Sequence, residues 1–135
     1  MINYRESKTL PRTQLTKLYA SVAWSAYTNH IEILEKAIHH SLTVLTAWDH
    51  DDLVGLIRVI GDGYTSIYIQ DLLVRPDYQN MKIGTSLMTQ ILNKYPQVRQ
   101  KVLLTDEEPS VRNFYEKNGF TSADQGNAVA FYKFS

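Results

Sequence analysis

The sequence contains no cysteine and no long run of apolar residues. Without cysteine, disulfides and thiolate metal sites are excluded, and we expect a cytoplasmic location because disulfides are characteristic of oxidising compartments. A membrane-spanning helix needs about 20 consecutive apolar residues, which no window of the sequence provides. The N-terminal residues MINYRESK also lack the apolar core of a secretory signal. We therefore expect a cytoplasmic protein with no membrane partner.

An excess of charge of one sign is also missing, since 14 Lys and Arg residues balance 14 Asp and Glu residues. A net charge of zero gives no general field to attract nucleic acid, so we expect no nucleic-acid partner and only a local anion site. It also removes net repulsion between copies, and a monomer and a homodimer are both compatible with it. The histidines are isolated or, at His39 and His40, point apart on a helix, so we expect no metal site.

The residues that are present suffice for one globular domain. At 135 residues, of which 44% are hydrophobic, the chain can bury its own core, so we expect a single domain over residues 1–135. Apolar periodicity and turn residues predict the order β-α-α-β-β-β-α-β-α-β-β. The predicted strands are residues 2–5, 42–48, 53–60, 64–74 and 101–105, followed by closing strands at Phe120 and at residues 128–134. The predicted helices begin at Pro11, after an N-cap at Asn29, near Lys82 and at Pro109.

This order of elements indicates an α/β fold with a mixed sheet. Antiparallel hairpins in the middle of the chain are followed by a strand–helix–strand unit, which requires one parallel pair. Helices are expected on both faces of such a sheet.

The segment from Leu72 to Thr85 is the most informative part of the sequence. A buried strand ends at Val74, and a helix starts near Lys82. The first N–H groups of a helix have no partner within it, and its dipole favours an anion there. Gly84 would let a pyrophosphate approach the backbone closely, although a lone glycine equally serves close packing. The residues predict a phosphate-binding strand–helix connection.

The run Val-Arg-Pro-Asp-Tyr-Gln-Asn-Met-Lys-Ile-Gly-Thr closely resembles the coenzyme A loop of the GNAT acyltransferase superfamily. That loop follows a strand ending in Val-x-Pro and has the pattern Gln/Arg-x-x-Gly-x-Gly/Ala. Gln79 matches its first position and Gly84 its last, whereas Lys82 replaces the first glycine. The resemblance implies coenzyme contacts from the strand residues Leu72, Leu73 and Val74 and from the loop residues Gln79, Asn80, Met81, Lys82, Ile83, Gly84 and Thr85.

A second match lies in the C-terminal third. The run Phe-Tyr-Glu-Lys-Asn-Gly-Phe, residues 114–120, is similar to the family motif Phe/Leu-Tyr-Glu-Lys-x-Gly-Phe. The motif carries Tyr115 into the position of the family's tyrosine, which implies that Tyr115 protonates the leaving thiolate. A core-facing aromatic on an amphipathic helix is the other interpretation of Tyr115. The family's helical Asn, seven residues before the tyrosine, is Glu108 here.

The resemblance implies a fold and a reaction. The fold is a mostly antiparallel twisted sheet of about six to seven strands flanked by about four helices. The reaction is direct transfer of an acetyl group from acetyl-CoA to a primary amine of a small molecule or protein, in a ternary complex and without a metal. A non-catalytic acyl-CoA-binding or regulatory module is the alternative, motivated by Lys82 and Glu108. A dinucleotide-binding domain is disfavoured, because no G-x-G-x-x-G follows any strand.

Direct transfer requires deprotonation of the amine and donors for the oxyanion. Free N–H groups near Leu72–Val74, where the strand parts from its neighbour, would serve the oxyanion. Aligning the loop with the family implies that Tyr68 and Gln70 face the acceptor site and order a water. Asp71 is either a general base, turned inward by a bulge, or a polar anchor for loop amides.

Two aromatic residues lie between the first two predicted helices. The resemblance implies that this region lines the acceptor pocket, where Trp24 and Tyr27 would contact the amine substrate by packing or by cation–π attraction. The competing interpretation is that both residues cap the core.

Overall fold

The computed structural model describes residues 1–135. Along the chain it contains β1 (Ile2–Glu6), α1 (Arg12–Ser21), α2 (Ser25–Thr28), α3 (Ile31–His39), β2 (Thr43–Asp49), β3 (Asp52–Gly61), β4 (Ser66–Val74), α4 (Ile83–Lys94), β5 (Gln100–Leu103) and α5 (Pro109–Lys117). None of these helices has the length and apolar character that a bilayer span requires. The chain separates into two compact units, Met1–Leu104 and Thr105–Ser135.

The first unit contains one mixed five-stranded sheet in the order β1-β2-β3-β4-β5. The first three neighbouring pairs are antiparallel and the β4–β5 pair is parallel, which confirms the predicted α/β fold. The parallel pair joins only Ser66–Ile69 to Gln100–Leu103. Beyond Ile69, β4 therefore has no β5 neighbour, as predicted for the place where the strands part.

The sheet is covered on both faces. On one face, α1 and α3 contribute Leu15, Leu18, Leu34 and Ile38 to a core that also contains Leu56 and Leu73 of the sheet. On the other face, α4 buries Ile83, Leu87, Met88 and Ile91. Apolar side chains spaced three and four residues apart give each helix one buried stripe, which is why these helices were predictable.

A β-bulge at Gln70 changes which face the second half of β4 presents. Val59 pairs with Ile69, but its neighbour Arg58 pairs with Asp71, so Gln70 is the extra residue. Directly paired residues share a face, and consecutive β3 residues point to opposite faces. Ile69 and Asp71 therefore lie on opposite faces of the sheet. Simple alternation along an unbulged strand would instead put Ile69 and Asp71 on the same face.

The predicted closing strands are absent, so the sheet has five strands rather than six to seven. The amide of Phe120 donates to the carbonyl of Tyr115 at 3.0 Å and closes the end of α5 instead of pairing in a sheet. Residues 128–134 are exposed, including Phe131 at 94%, and form no strand. Apolar alternation specifies a strand only where a partner edge is available. The predicted N-cap at Asn29 was also wrong, because Asn29 ends α2 and His30 precedes α3.

Candidate functional site

The connection between β4 and α4 is built from backbone contacts. The amide of Arg75 donates to the carbonyl of Val54 at 2.8 Å, which ties the exit of β4 to β3. A short 3₁₀ helix, Pro76–Tyr78, follows. The side chain of Gln79 then donates from Nε2 to the carbonyl of Val74 at 3.1 Å. Gln79 therefore returns to the strand end and shapes the loop before the helix.

The N-terminus of α4 presents unpaired amides. The first backbone hydrogen bond of this helix runs from Ser86 to the carbonyl of Lys82, at 3.0 Å. The N–H groups of Ile83, Gly84 and Thr85 precede that bond and have no acceptor within the helix. They point out of the end of a 12-residue helix, where its dipole favours an anion. The helix begins one residue after Lys82, as predicted.

Two residues of this loop adopt the left-handed backbone conformation. Asn80 has φ 66° and Lys82, the residue before the helix, has φ 62°. Glycine enters this region without steric cost, and asparagine tolerates it better than most residues do. Lys82 therefore occupies a backbone conformation that suits the glycine of the family pattern.

The start of α4 is seated closely on the sheet at Gly55 of β3. A Cβ built on Gly55 would lie 3.1 Å from a methyl carbon of Ile83 and 3.4 Å from Leu87. A side chain at this position would press on Ile83, so glycine lets the helix approach the strand this closely. The seat fixes the position of the unpaired amides relative to the end of β4.

On the opposite face, Asp71 is the centre of a buried hydrogen-bond cluster. Its Oδ2 accepts from Nε of Arg58 at 2.7 Å and from the hydroxyl of Tyr19 at 2.9 Å. Its Oδ1 accepts from the hydroxyl of Tyr27 at 3.0 Å. Arg58 and Asp71 are both buried, at 5% and 3% exposure, so each charge depends on the other for compensation. The predicted bulge does turn Asp71 inward, and its partners are side chains rather than loop amides.

The hydroxyl of Tyr27 links this cluster to the exposed residue Gln70. It receives hydrogen bonds from Nε2 of Gln70 at 3.3 Å and from Nη2 of Arg58 at 3.4 Å. Burial, followed by the charge of Asp71, raises the pKa of the Tyr27 phenol. The same two causes raise the pKa of Tyr19 further. Both phenols therefore keep their protons at neutral pH and donate them to Asp71.

The two aromatic residues predicted for the acceptor pocket lie side by side. Trp24 and Tyr27 have ring centroids 6.2 Å apart, and each packs edge-on against Tyr19 of α1, at 5.9 and 5.2 Å. All three contact the α1/α3 core, and the two predicted residues are half-buried. Tyr27 joins Gln70 and Asp71, whereas Tyr68 shares their face of β4 without bonding to them.

In the second unit, the motif containing Tyr115 forms the C-terminal cap of α5. Gly119 has φ 91°, its amide donates to the carbonyl of Glu116, and the amide of Phe120 donates to that of Tyr115. This pair of bonds is a Schellman motif. The rings of Tyr115 and Phe120 pack edge to face at 6.0 Å. Burial raises the pKa of Tyr115 to about 12. The glycine and the last phenylalanine of the motif thus end the helix.

Glu108 occupies the residue before α5. Its carbonyl accepts the amide of Arg112 at 2.9 Å, and its carboxylate accepts the hydroxyl of Ser110 at 3.2 Å. Arg112 also pairs with Glu107 and Asp124. No group of three or more His, Asp or Glu side chains is placed to share a metal ion.

Sequence reasoning missed Arg58 and Tyr19 as members of the Asp71 cluster. A signal for Arg58 was present, because it is the only charged residue in the apolar run Leu53–Ile60. A charge in the middle of a buried strand requires a charged or hydrogen-bonding partner. Tyr19 gave no such signal, since its position in the apolar stripe of α1 explains it equally well.

Comparisons with known proteins identify the family to which this fold belongs. The family model for the acetyltransferase (GNAT) domain matches residues 11–134. An uncharacterized N-acetyltransferase, ycf52-like, of Prochlorococcus marinus is 33% identical, over 96% of this chain and 73% of that protein. The structure of a GNAT family acetyltransferase from Streptococcus pneumoniae TIGR4 superposes with a TM-score of 0.88 at 34% identity, over 100% of this chain and 98% of that one. A protein of unknown function from meticillin-resistant Staphylococcus aureus gives a TM-score of 0.80 at 25% identity, with both chains fully covered.

Proposed function

Because the chain belongs to the GNAT acetyltransferase family, we propose that it transfers an acetyl group from acetyl-CoA to a primary amine of a small molecule or protein. The observation that carries this proposal is the N-terminus of α4. Its three unpaired amides stand after an open end of β4, where a diphosphate and a thioester arm can be bound in sequence. Residues 1–135 are proposed to act as one domain, since the family match spans both units.

The coenzyme is proposed to lie along the β4–α4 connection. Residues 79–85 hold the diphosphate through backbone amides, with the ammonium of Lys82 adding charge at the exposed loop. Residues 72–74 take the pantetheine arm and the developing oxyanion. Their β5-facing edge is unpaired, because the β4–β5 ladder ends at Ile69, and this supports the assignment.

The transfer needs one proton removed and one supplied. The amine attacks the thioester carbonyl, its nitrogen loses a proton, and the carbon–sulfur bond breaks to release the thiolate. Tyr115 is proposed to protonate the sulfur, on the strength of the match to the family motif, and a phenol with a pKa of about 12 holds its proton at neutral pH. A water ordered by Gln70 and Tyr68 is proposed to accept the proton from the amine.

The acceptor is proposed to bind beside Trp24 and Tyr27. Their half-buried rings lie on the same face of the sheet as Gln70 and offer an apolar wall for the body of an amine. A cytoplasmic location completes the proposal and is supported by the absence of cysteine.

Calorimetry with acetyl-CoA tests the coenzyme site. We expect Gly84→Glu to abolish binding, because a carboxylate at the helix N-terminus would crowd and repel the diphosphate. Gly84→Ala is the matched control, since alanine favours the helix and adds no charge, and it should retain most of the affinity. Undiminished binding by Gly84→Glu would overturn the placement of the site.

An assay of thiol release separates an enzyme from a non-catalytic acyl-CoA-binding module. The amines to be tested are arylalkylamines, polyamines, aminoglycosides and peptides. The non-catalytic alternative is favoured by Glu108, which differs from the family's Asn. Turnover of any amine by the parent excludes it. We expect Tyr115→Phe to bind acetyl-CoA normally and to lose turnover by about 10²-fold or more. Parental turnover in Tyr115→Phe would remove Tyr115 as the acid.

A further inference from the structure

The hydrogen-bond cluster around Asp71 has a direction. An ionised carboxylate paired with a guanidinium can only accept hydrogen bonds. The single hydroxyl proton of Tyr27 therefore points to Oδ1 of Asp71, at 3.0 Å. The oxygen of Tyr27 is left with lone pairs only, so the amide of Gln70 must face it with its NH₂ group, at 3.3 Å. The carboxylate thereby decides which end of the Gln70 amide is turned away from the cluster.

We propose that the carbonyl oxygen of Gln70 binds the N–H of the acceptor amine, and that Asp71 is the positioning residue that orients it through Tyr27. This inference rests on the proposed acetyltransferase function. Gln70 is exposed, so its Oε1 can meet a ligand, whereas the buried Asp71 cannot. An amide oxygen is a neutral acceptor, which binds an amine N–H without holding the nitrogen as an ammonium.

The bulge of β4 makes this arrangement possible. It brings Asp71 to the face where α1 and α2 lie, and it leaves Gln70 unpaired between two residues of the ladder with β3. Arg58 holds the carboxylate from the neighbouring strand, and its Nη2 is 3.4 Å from the hydroxyl of Tyr27. All the acceptor capacity of that hydroxyl is used within the protein. The substrate therefore meets the ring of Tyr27 and not its oxygen.

This role differs from that of a general base. A base must reach the amine or a water beside it, but Asp71 is 3% exposed and already accepts three hydrogen bonds. Removing a proton acceptor would change the pH profile of the reaction. Removing a positioning residue would instead weaken amine binding and leave that profile in place.

The first test is kinetic and uses Tyr27→Phe, which removes the relay without unpairing the buried charges. We expect the KM for the amine to rise about tenfold, the effect of one lost hydrogen bond, with the KM for acetyl-CoA unchanged. Gln70→Leu should raise the KM for the amine by the same factor. The double variant should have a KM for the amine no higher than that of either single variant, since both substitutions remove the same interaction. Tyr19→Phe is the matched control, because its hydroxyl also bonds to Asp71 but makes no contact with Gln70. An unchanged KM for the amine in Tyr27→Phe would overturn the proposal.

Asp71→Asn separates positioning from base catalysis, because it also abolishes the fixed direction of the relay. We expect a higher KM for the amine. We also expect kcat/KM to fall at low pH over the same range as in the parent. Loss of this fall at low pH, together with turnover slowed by about 10³-fold or more, would make Asp71 the base and contradict our assignment. Arg58→Lys keeps the charge and should retain more amine affinity than Arg58→Gln does.

A second test needs no turnover. In the ¹⁵N spectrum of the free protein, the side-chain amide of Gln70 should shift in Tyr27→Phe and stay in place in Tyr19→Phe. An unshifted Gln70 amide in Tyr27→Phe would overturn the relay whatever the activity. If the parent binds acetyl-CoA but acetylates no amine, the proposed function fails by itself. Titration of the CoA complex with the amine panel then tests whether Gln70 binds an amine, and no shift of its amide would exclude that role.

Discussion

Lys82 is the residue at which the loop departs from the family pattern, and its φ of 62° places a residue with a Cβ in the left-handed region. A left-handed conformation costs a residue with a Cβ about 1–2 kcal/mol. We expect Lys82→Gly to relieve this strain and, after the entropy of the unfolded glycine is subtracted, to raise the free energy of unfolding by up to about 1 kcal/mol. Denaturant unfolding measures this change.

Lys82→Ala is the control for that substitution. Alanine removes the ammonium but keeps the left-handed strain, so its stability should stay at the parental value. Calorimetry on both variants then reports the contribution of the ammonium to coenzyme binding, for which we expect a small change in affinity. A Lys82→Gly variant less stable than Lys82→Ala would refute the account of strain.

Tyr115 carries a pH dependence that its burial predicts. Its pKa is raised to about 12 in the folded protein, against about 10 in the unfolded chain. Below pH 10 Tyr115 is protonated in both states, and its contribution to the free energy of unfolding is fully present. As the pH rises from about 10 through 12, the unfolded chain loses this proton before the folded protein does, so the free energy of unfolding falls. We expect a loss of about 2 kcal/mol between pH 8 and 12. Urea unfolding of the parent and of Tyr115→Phe isolates the contribution of Tyr115, because the contributions of the other tyrosines cancel when the two free energies of unfolding are subtracted. Equal losses in both proteins would contradict the buried phenol.

At the scale of elements, the end of α5 depends on a glycine. Gly119 has φ 91°, while a Cβ added there would meet no atom within 4 Å, so only the backbone resists substitution. We expect Gly119→Ala to lower the free energy of unfolding by about 1 kcal/mol. Gly126, whose φ of −119° any residue can adopt, is the control, and Gly126→Ala should be neutral or slightly stabilising. Equal effects of the two substitutions would show that the cap contributes nothing.

α4 illustrates how an element can serve packing and binding together. Its apolar stripe buries it on the sheet, Gly55 lets its first turn approach β3, and its N-terminal amides stay unpaired. Gly84 belongs to a loop pattern that can be recognised in the sequence. Gly55, which lets the helix pack closely on the sheet, has no neighbour in sequence that belongs to the loop, so the sequence gives no sign of its role.

At the scale of the whole molecule, the proposed coenzyme site should link binding to stability. A ligand that binds only the folded state adds free energy of unfolding that grows with its concentration. Acetyl-CoA at a hundredfold excess over its Kd should therefore add about 2.7 kcal/mol, observed as a concentration-dependent rise in Tm. Gly84→Glu provides the control and should show no rise. A parental Tm independent of acetyl-CoA would contradict the site.

Local signals in the sequence anticipated most of the architecture. Leu15, Leu18 and Tyr19 have the three- and four-residue spacing of the buried stripe of α1, and the glycine-rich turn Gly61–Gly63 lies at the boundary between β3 and β4. The start of α4 was placed to within one residue. These features are encoded within a few neighbouring residues, by periodicity or by turn chemistry. The closing strands were not, because a strand depends on a partner edge distant in sequence.

The segment Leu72–Thr85 and its neighbour Asp71 differ in how far the sequence alone determines their structure. The sequence by itself determined that a strand leads into a helix with a loop suited to phosphate, since caps, dipoles and apolar periods are local. Only the tertiary structure decided what surrounds Asp71. Its face is set by a bulge in the ladder with β3, and its partners come from α1, α2 and β3. Hydrogen bonds between residues 13 to 52 positions apart form only once the chain has folded, so no local pattern could contain them.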